Sequence, residues 1–168
     1  MKYWFDTEFI EDGVTIDLLS IGVVCEDDRE FYAQNRDADL DKASEWVRDN
    51  VFPGLRDCPD DRILRKNELA YQLWYFVNRG RGKPEFWAYY GDYDWVALCQ
   101  LFGTMMDLPE GWPMFAMDVK QLCVSLGNPQ LPKQESGEHN ALNDARWTRD
   151  SWKFLTPSSS APTPETEK

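Results

Sequence analysis

The chain has little positive charge for its size. Its 168 residues include 18 lysines and arginines against 30 aspartates and glutamates, for a net charge of −12. Binding to bare nucleic acid by bulk electrostatics requires positive charge that displaces counterions, so this mode of binding is disfavoured. A nucleic-acid enzyme with an acidic site is still compatible with this composition, because bound divalent cations would supply the positive charge.

Long apolar runs and paired cysteines are also missing. No run of about 18 apolar residues occurs, which argues against a membrane span, and the N-terminus does not resemble a secretory signal. The four cysteines (Cys25, Cys58, Cys99 and Cys123) form no C-x-x-C pair. We therefore expect reduced, buried thiols in a cytoplasmic protein, and neither a disulfide framework nor a zinc site.

The apolar content predicts one packed domain. Hydrophobic residues make up 42% of the chain and include eight tryptophans, so residues 1–155 are expected to form a single domain. From residue 156 the sequence TPSSSAPTPETEK is rich in proline, serine and threonine and nearly free of apolar residues. This composition predicts a disordered tail over 156–168.

Hydrophobic periodicity predicts a mixed α/β fold. Residues 3–10 alternate as a strand does, and two further strands follow at 15–27 and 29–34 after short acidic turns, which indicates an antiparallel three-strand meander. Helical spacing then alternates with one buried strand. The predicted helices span 39–52 (ended by Pro53-Gly54), 68–78, 92–103, 118–127 and 139–155, and the strand spans 84–91. Together these segments predict a mixed sheet flanked by helices.

Two carboxylates lie within the first predicted strand. Asp6 and Glu8 are two residues apart and therefore project from the same face of the strand. An exposed edge strand with solvated acids would explain an isolated D-x-E pair. The neighbouring Trp4, Phe5 and Phe9 instead favour a buried strand, where unpaired carboxylates are costly. The pair therefore requires a partner from elsewhere in the chain.

A second acidic site lies in GDYDW at 91–95, where a buried strand passes into a helix. An aspartate at such a junction often caps the helix, while its neighbour can point towards a ligand beyond the strand end. Either Asp92 or Asp94 can fill this second role. We favour Asp94, because it directly precedes the apolar start of the helix.

The third site is HNALNDA at 139–145. Asp144 shares one helical face with Ala141 and Ala145, and these small residues would let that face approach a sheet closely. His139 is the only histidine, and a lone histidine is often structural. It lies about 140° from Asp144 around an ideal helix, so it must lie in the loop after Gly137 to reach the same site.

These residues together suit hydrolytic chemistry. Four carboxylates are suited to two hard divalent cations, Mg²⁺ or Mn²⁺, which take oxygen ligands and can flank a phosphodiester. A neutral imidazole can accept the proton of an attacking water.

This pattern resembles the DEDDh branch of the 3′-5′ exonucleases. The shared elements are D-x-E in the first strand, an aspartate at a mid-chain strand–helix turn, and H-x4-D at the opening of the last helix. The segments FDTEFIEDG, SIGVV, DWVALCQLFG and H-x-A-L-x-D-A resemble, over about residues 1–155, the small exoribonucleases of mycobacteria and phages. The resemblance implies a ribonuclease H-like fold. It also implies a homodimer that degrades single-stranded RNA 3′ ends or overhangs to nucleoside 5′-monophosphates.

The resemblance also implies roles for individual residues. Asp6 would ligate both metal ions, Glu8 and Asp144 one of them, and Asp94 the other. His139 would be the general base. The related branch with tyrosine in place of this histidine is disfavoured, because position 140 is asparagine.

The sequence says less about which residues contact the substrate and about whether the substrate is RNA or DNA. The resemblance places Leu19 and Ser20 near the terminal nucleoside, and Phe9 is suited to stack on a terminal base. A DNA exonuclease of the same superfamily, or a catalytically silent nucleic-acid-binding module, is the alternative. A silent module would have lost at least one of the five catalytic groups, and all five are present.

Overall fold

One mixed sheet of six strands organises the chain. The computed structural model describes residues 1–56, 58–134 and 137–157. The strands are β1 (Lys2–Glu11), β2 (Ile16–Cys25), β3 (Glu30–Asn35), β4 (Ile63–Leu64), β5 (Glu85–Ala88) and β6 (Met117–Asp118), in spatial order β4-β3-β2-β1-β5-β6. The helices are α1 (Glu45–Asn50), α2 (Phe52–Leu55), α3 (Lys66–Asn78), α4 (Asp92–Phe102), α5 (Val119–Ser125) and α6 (Ala141–Leu155), with short 3₁₀ turns at Leu40–Lys42, Asp60–Arg62 and Met105–Asp107.

The sheet confirms the predicted meander. β1 pairs antiparallel with β2, and β2 pairs antiparallel with β3. β4, β5 and β6 are each parallel to their neighbours, so the sheet is mixed. The sequence periodicity missed β4 and β6, because each has only two residues and therefore shows no alternation.

Side chains of β1 alternate between two packed layers. Tyr3 and Phe5 lie in the larger core with Leu73 of α3 and Leu98 of α4. Trp4 points to the opposite face and packs in a second core against the end of α6. Since successive side chains of a strand point to opposite faces, β1 presents Asp6 and Glu8 on the Trp4 side, where α6 lies.

The predicted helix over 39–52 is wrong in its extent. The segment divides into a 3₁₀ turn, α1 and α2. Ser44 caps α1, because its side-chain oxygen accepts the backbone N–H of Val47 at 3.3 Å. Pro53 and Gly54 do not end a helix but lie within α2. Proline is tolerated in a first helical turn, where its missing N–H would have no intrahelical partner.

α6 lies directly on the sheet at Gly22. A Cβ atom at Gly22 would collide with the backbone of Ala141 and Leu142. Ala141 and Ala145 are fully buried, as the small-residue face of this helix predicted. Because Asp6 is the cross-strand partner of Gly22, this contact brings the first turn of α6 next to Asp6.

Two composition-based predictions can be compared with the structure. No helix in the described part of the chain is long and apolar enough to cross a membrane. The four cysteines are free, and all but the partly exposed Cys58 are buried. Within the predicted tail, residues 158–168 lie outside the described residues.

Replacing Gly22 with alanine tests the contact between α6 and the sheet. The added methyl group must displace the α6 backbone, so we expect the free energy of unfolding to fall by about 1–3 kcal/mol, the usual cost of overpacking. Urea denaturation measures this change. Wild-type stability in the variant would show that α6 can shift away from β2 at no cost.

Candidate active site

Three carboxylates converge at the centre of the sheet. Asp6 and Glu8 of β1 and Asp144 of α6 each offer an oxygen atom, and these atoms lie within 4.8 Å of one another. Glu8 is only 8% exposed. Glu8 and Asp144, which are 136 positions apart in the sequence, therefore belong with Asp6 to one acidic group, which we call the carboxylate cluster.

Asp94 lies beside the cluster but outside it. It is buried in the first turn of α4, where its Oδ1 accepts hydrogen bonds from the Thr7 backbone N–H (2.8 Å) and hydroxyl (2.6 Å). Thr7 lies between Asp6 and Glu8, so the same strand positions all of these carboxylates. Asp92, the alternative at this motif, is exposed to solvent.

His139 lies in the loop before α6, as its angular distance from Asp144 required. The predicted start of this helix at residue 139 is two residues too early, because α6 begins at Ala141 after the cap Asn140. Its backbone is left-handed, with φ of 63°, and the next residue, Asn140, caps α6. The Asn140 amide donates to the Gly54 carbonyl at 3.1 Å. The imidazole packs edge-on against Trp46, with ring centroids 5.0 Å apart. Helices α1 and α2 therefore hold this loop next to Asp144.

A cavity of ≈290 Å³ opens onto the cluster. Besides Asp6, Asp144 and His139, the residues that line it are Tyr89, Gln134, Glu138, Trp147 and Thr148. The Gln134 amide donates to Asp144 Oδ1 at 2.6 Å. Sequence reasoning missed Gln134, because it lies in a proline-rich loop that has no periodic pattern. Thr7 could have been found from the sequence. It lies between Asp6 and Glu8 on β1, so its side chain must point to the opposite face of the sheet, which is the face that α4 covers.

The electrostatics of the cluster favour bound protons or cations. Burial, followed by the charges of Asp94, Asp144 and Glu8, raises the pKa of Asp6 well above its usual range. Burial and Asp144 raise the pKa of Glu8 to about 8. Burial raises the pKa of Asp94 to about 6, against the hydrogen bonds from Thr7. Asp144 also has a raised pKa because of burial, which the hydrogen bond from Gln134 opposes.

The three residues suggested for substrate contact lie in different environments. Phe9 stacks on Tyr93 with centroids 5.7 Å apart and an interplanar angle of 9°. Leu19 and Ser20 are fully buried in β2. Leu19 lines a separate, largely apolar cavity of ≈420 Å³ beside α2. Leu19 and Ser20 are not among the described residues that line the cavity at the cluster.

Comparison with known proteins places this chain in a family. Residues 1–156 match the Rv2179c-like 3′-5′ exoribonuclease domain. The chain belongs to the Rv2179c-like 3′-5′ exoribonuclease family. This Rv2179c-like chain is 44% identical over 147 residues to 3′-5′ exoribonuclease Rv2179c of Mycobacterium tuberculosis strain H37Rv, covering 87% of the chain and 88% of the relative. The same values hold for MT2234.1 of strain CDC 1551. The predicted family and enzyme class are thereby confirmed.

Solved structures confirm the ribonuclease H-like fold of the Rv2179c-like chain. Schizosaccharomyces pombe Pop2p, in a form with bound Mg²⁺ and Mn²⁺, matches with a TM-score of 0.62 at 13% identity, covering 92% of this chain and 82% of Pop2p. A 3′-exonuclease that recognises the histone mRNA stem-loop matches with a TM-score of 0.53 at 12% identity, covering 96% and 71%. At such low identity these matches show the shared fold alone.

The raised pKa of Glu8 predicts that, in EDTA, the folded protein becomes less stable as the pH rises. Between pH 4.5, near the ordinary pKa of glutamate, and about 8, the folded protein retains a proton on Glu8 that the unfolded chain releases. The free energy of unfolding should therefore fall as the pH rises through this window. At pH 8, Glu8→Gln should melt at a higher temperature than wild type, because it carries no charge to repel Asp144.

The exposed Glu110 provides a matched control. Glu110→Gln should melt as wild type does at every pH. Scanning calorimetry of the three proteins at pH 5 and pH 8 measures the difference. A Glu8→Gln protein that melts below wild type at pH 8 would contradict repulsion within the cluster.

Proposed function

We propose that this protein hydrolyses single-stranded RNA from its 3′ end, including 3′ overhangs, with two divalent cations and His139 as general base. The observation that carries the proposal is the convergence of Asp6, Glu8 and Asp144 beside His139. Relatives that are named 3′-5′ exoribonucleases support RNA as the substrate.

The carboxylates fit divalent cations by their chemistry. The donors are all carboxylate oxygens, which hard cations prefer, and their raised pKa values reflect a repulsion that cations would relieve. Asp6, Glu8 and Asp144 would hold one ion, while Asp6 and Asp94 would hold the second. When bound, Mg²⁺ or Mn²⁺ supplies positive charge that stabilises the attacking and leaving oxygens.

The protein's own side chains supply the proton transfer and the alignment of the ligands. His139 accepts a proton from the attacking water as the new P–O bond forms. The P–O3′ bond of the preceding nucleotide breaks, and the departing O3′ takes a proton from solvent water. This step releases a nucleoside 5′-monophosphate and leaves a shortened RNA with a 3′-hydroxyl. Gln134 orients Asp144 by donating a hydrogen bond, and Thr7 orients Asp94 in the same way.

The terminal nucleoside would bind on the β2 side of the cluster. Phe9, already stacked on Tyr93, would present an aromatic surface to its base. Ser20, which is the cross-strand partner of Glu8, and its neighbour Leu19 would support this site from within β2. A homodimer, as the family resemblance implies, completes the proposal, and the unpaired cysteines favour a reducing cytoplasm as its location.

Metal dependence and polarity test this proposal directly. With 5′-labelled RNA and Mg²⁺ or Mn²⁺, the labelled strand should shorten from its 3′ end and release nucleoside 5′-monophosphates. EDTA should abolish the reaction. Asp6→Ala should be the most damaging single change, because Asp6 would contact both ions. Gel electrophoresis of timed samples, with a DNA strand of the same sequence in parallel, provides the measurement.

Three outcomes of this assay would contradict the proposal. Full activity in EDTA would exclude the two-metal mechanism. Internal fragments at the earliest times would indicate an endonuclease. Faster shortening of the DNA strand than of the RNA strand would favour a DNA exonuclease.

Replacing His139 tests the assignment of the general base. His139→Ala should lower kcat by about 10²–10⁴-fold, the usual contribution of general base catalysis, and leave cation binding nearly unchanged. His139→Asn should have the same effect, because an amide does not act as a base. Single-turnover rates at fixed pH, together with calorimetric titration of Mn²⁺, separate the two properties. A variant with wild-type turnover would show that His139 has a structural role.

A further inference from the structure

A second cavity continues from the one at the carboxylate cluster. It measures ≈550 Å³, within the range of ~300–1,000 Å³ typical of ligand sites. The two cavities share Tyr89, Gln134, Glu138 and Trp147 as lining residues. We call this second cavity the α5–α6 groove, because it runs from the cluster across Trp147 to Lys120 of α5 and Lys133 of the loop that precedes α6.

The outer part of the groove carries positive charge on a strongly acidic protein. Lys120 and Lys133 line it, and the one acidic residue among its described lining residues is Glu138, at the end shared with the cluster. The Lys120 ammonium donates to the Asn128 side-chain oxygen at 3.0 Å, which is a neutral partner. Neither lysine takes part in an ion pair among the described residues. Within the part of the chain that the structure describes, both charges are thus available to an anionic ligand.

Aromatic rings line the inner part of the groove. Tyr89 and Trp147 pack edge to face, with centroids 4.8 Å apart and an angle of 87°. The Trp147 indole N–H donates to the Pro132 carbonyl at 2.8 Å, which fixes the ring against the loop. Both side chains are only half-buried. Aromatic faces beside a positively charged track are the combination that binds single-stranded nucleic acid without sequence preference.

The order of the strands gives the groove a direction. The cluster lies on β1, and the proposed site for the terminal nucleoside lies towards β2. The groove lies on the opposite side of β1, because Tyr89 follows β5 and Lys120 belongs to α5, which follows β6. A strand whose scissile phosphate lies at the cluster would therefore continue into the groove.

We infer that the α5–α6 groove binds the RNA nucleotides upstream of the scissile phosphate. Lys120 and Lys133 contact backbone phosphates, and Tyr89 and Trp147 pack against bases. This inference rests on the proposed exoribonuclease function and adds the path of the substrate strand. It also gives a chain of net charge −12 a place to contact a polyanion, because two lysines line that path.

The test compares a long substrate with a short one. The variant Lys120→Gln/Lys133→Gln removes two charges from the groove but keeps polar side chains. The control Lys66→Gln/Lys83→Gln makes the same change in net charge at exposed lysines that do not line the groove. For each protein, kcat/KM is measured with a decanucleotide and with a dinucleotide RNA, which has no phosphate upstream of the scissile one, over a series of salt concentrations.

In the groove variant, the ratio of kcat/KM for the decanucleotide to kcat/KM for the dinucleotide should fall about tenfold. Most of this fall should come from a higher KM for the decanucleotide. For the decanucleotide, the slope of log(kcat/KM) against the logarithm of the salt concentration should become shallower by about 0.7 for each lost phosphate contact. The control should match wild type in both respects. If the groove variant also matches wild type, or loses equally on both substrates, the groove does not bind RNA. If wild type shortens neither RNA, the exoribonuclease proposal itself fails.

Discussion

The close contact between α6 and β2 determines the arrangement of the whole site. Gly22 has no side chain, and the backbone of Ala141 occupies the space where a Cβ atom would lie. Because Gly22 pairs with Asp6 across the strands, the same contact places the first turn of α6 beside Asp6. Asp144 therefore reaches Glu8 and Asp6 only while this backbone approach is maintained.

The packing around the site opposes the repulsion within it. Buried carboxylates that repel one another destabilise the fold unless a proton or a cation lies between them. Two buried cores hold them together from either face of the sheet. Directed hydrogen bonds from Thr7 and Gln134 then restrict the orientation of Asp94 and Asp144. The fold thus maintains a site whose electrostatic energy favours cation binding.

The segment between β3 and β4 supports the loop of His139. Gly54 permits a close approach to this loop, because a Cβ atom there would lie 2.7 Å from the His139 carbonyl oxygen. Trp46 is 55% exposed and still packs against the imidazole. These contacts come from a part of the chain that carries none of the candidate ligands. They hold His139 next to Asp144 while it remains outside the helix.

Local sequence pattern determined the meander, most helices, the shared face of Asp6 and Glu8, and the position of His139 outside α6. Each of these follows from strand or helix periodicity within a short segment. Tertiary structure alone decided where Gln134 binds and how the α5–α6 groove forms. It buried Asp94 and left Asp92 exposed, a choice that the sequence favoured but left open. It also created β4 and β6, because two residues become a strand only by pairing with a neighbour, and it divided the predicted helix over 39–52. These features depend on contacts between distant segments, which no local periodicity records.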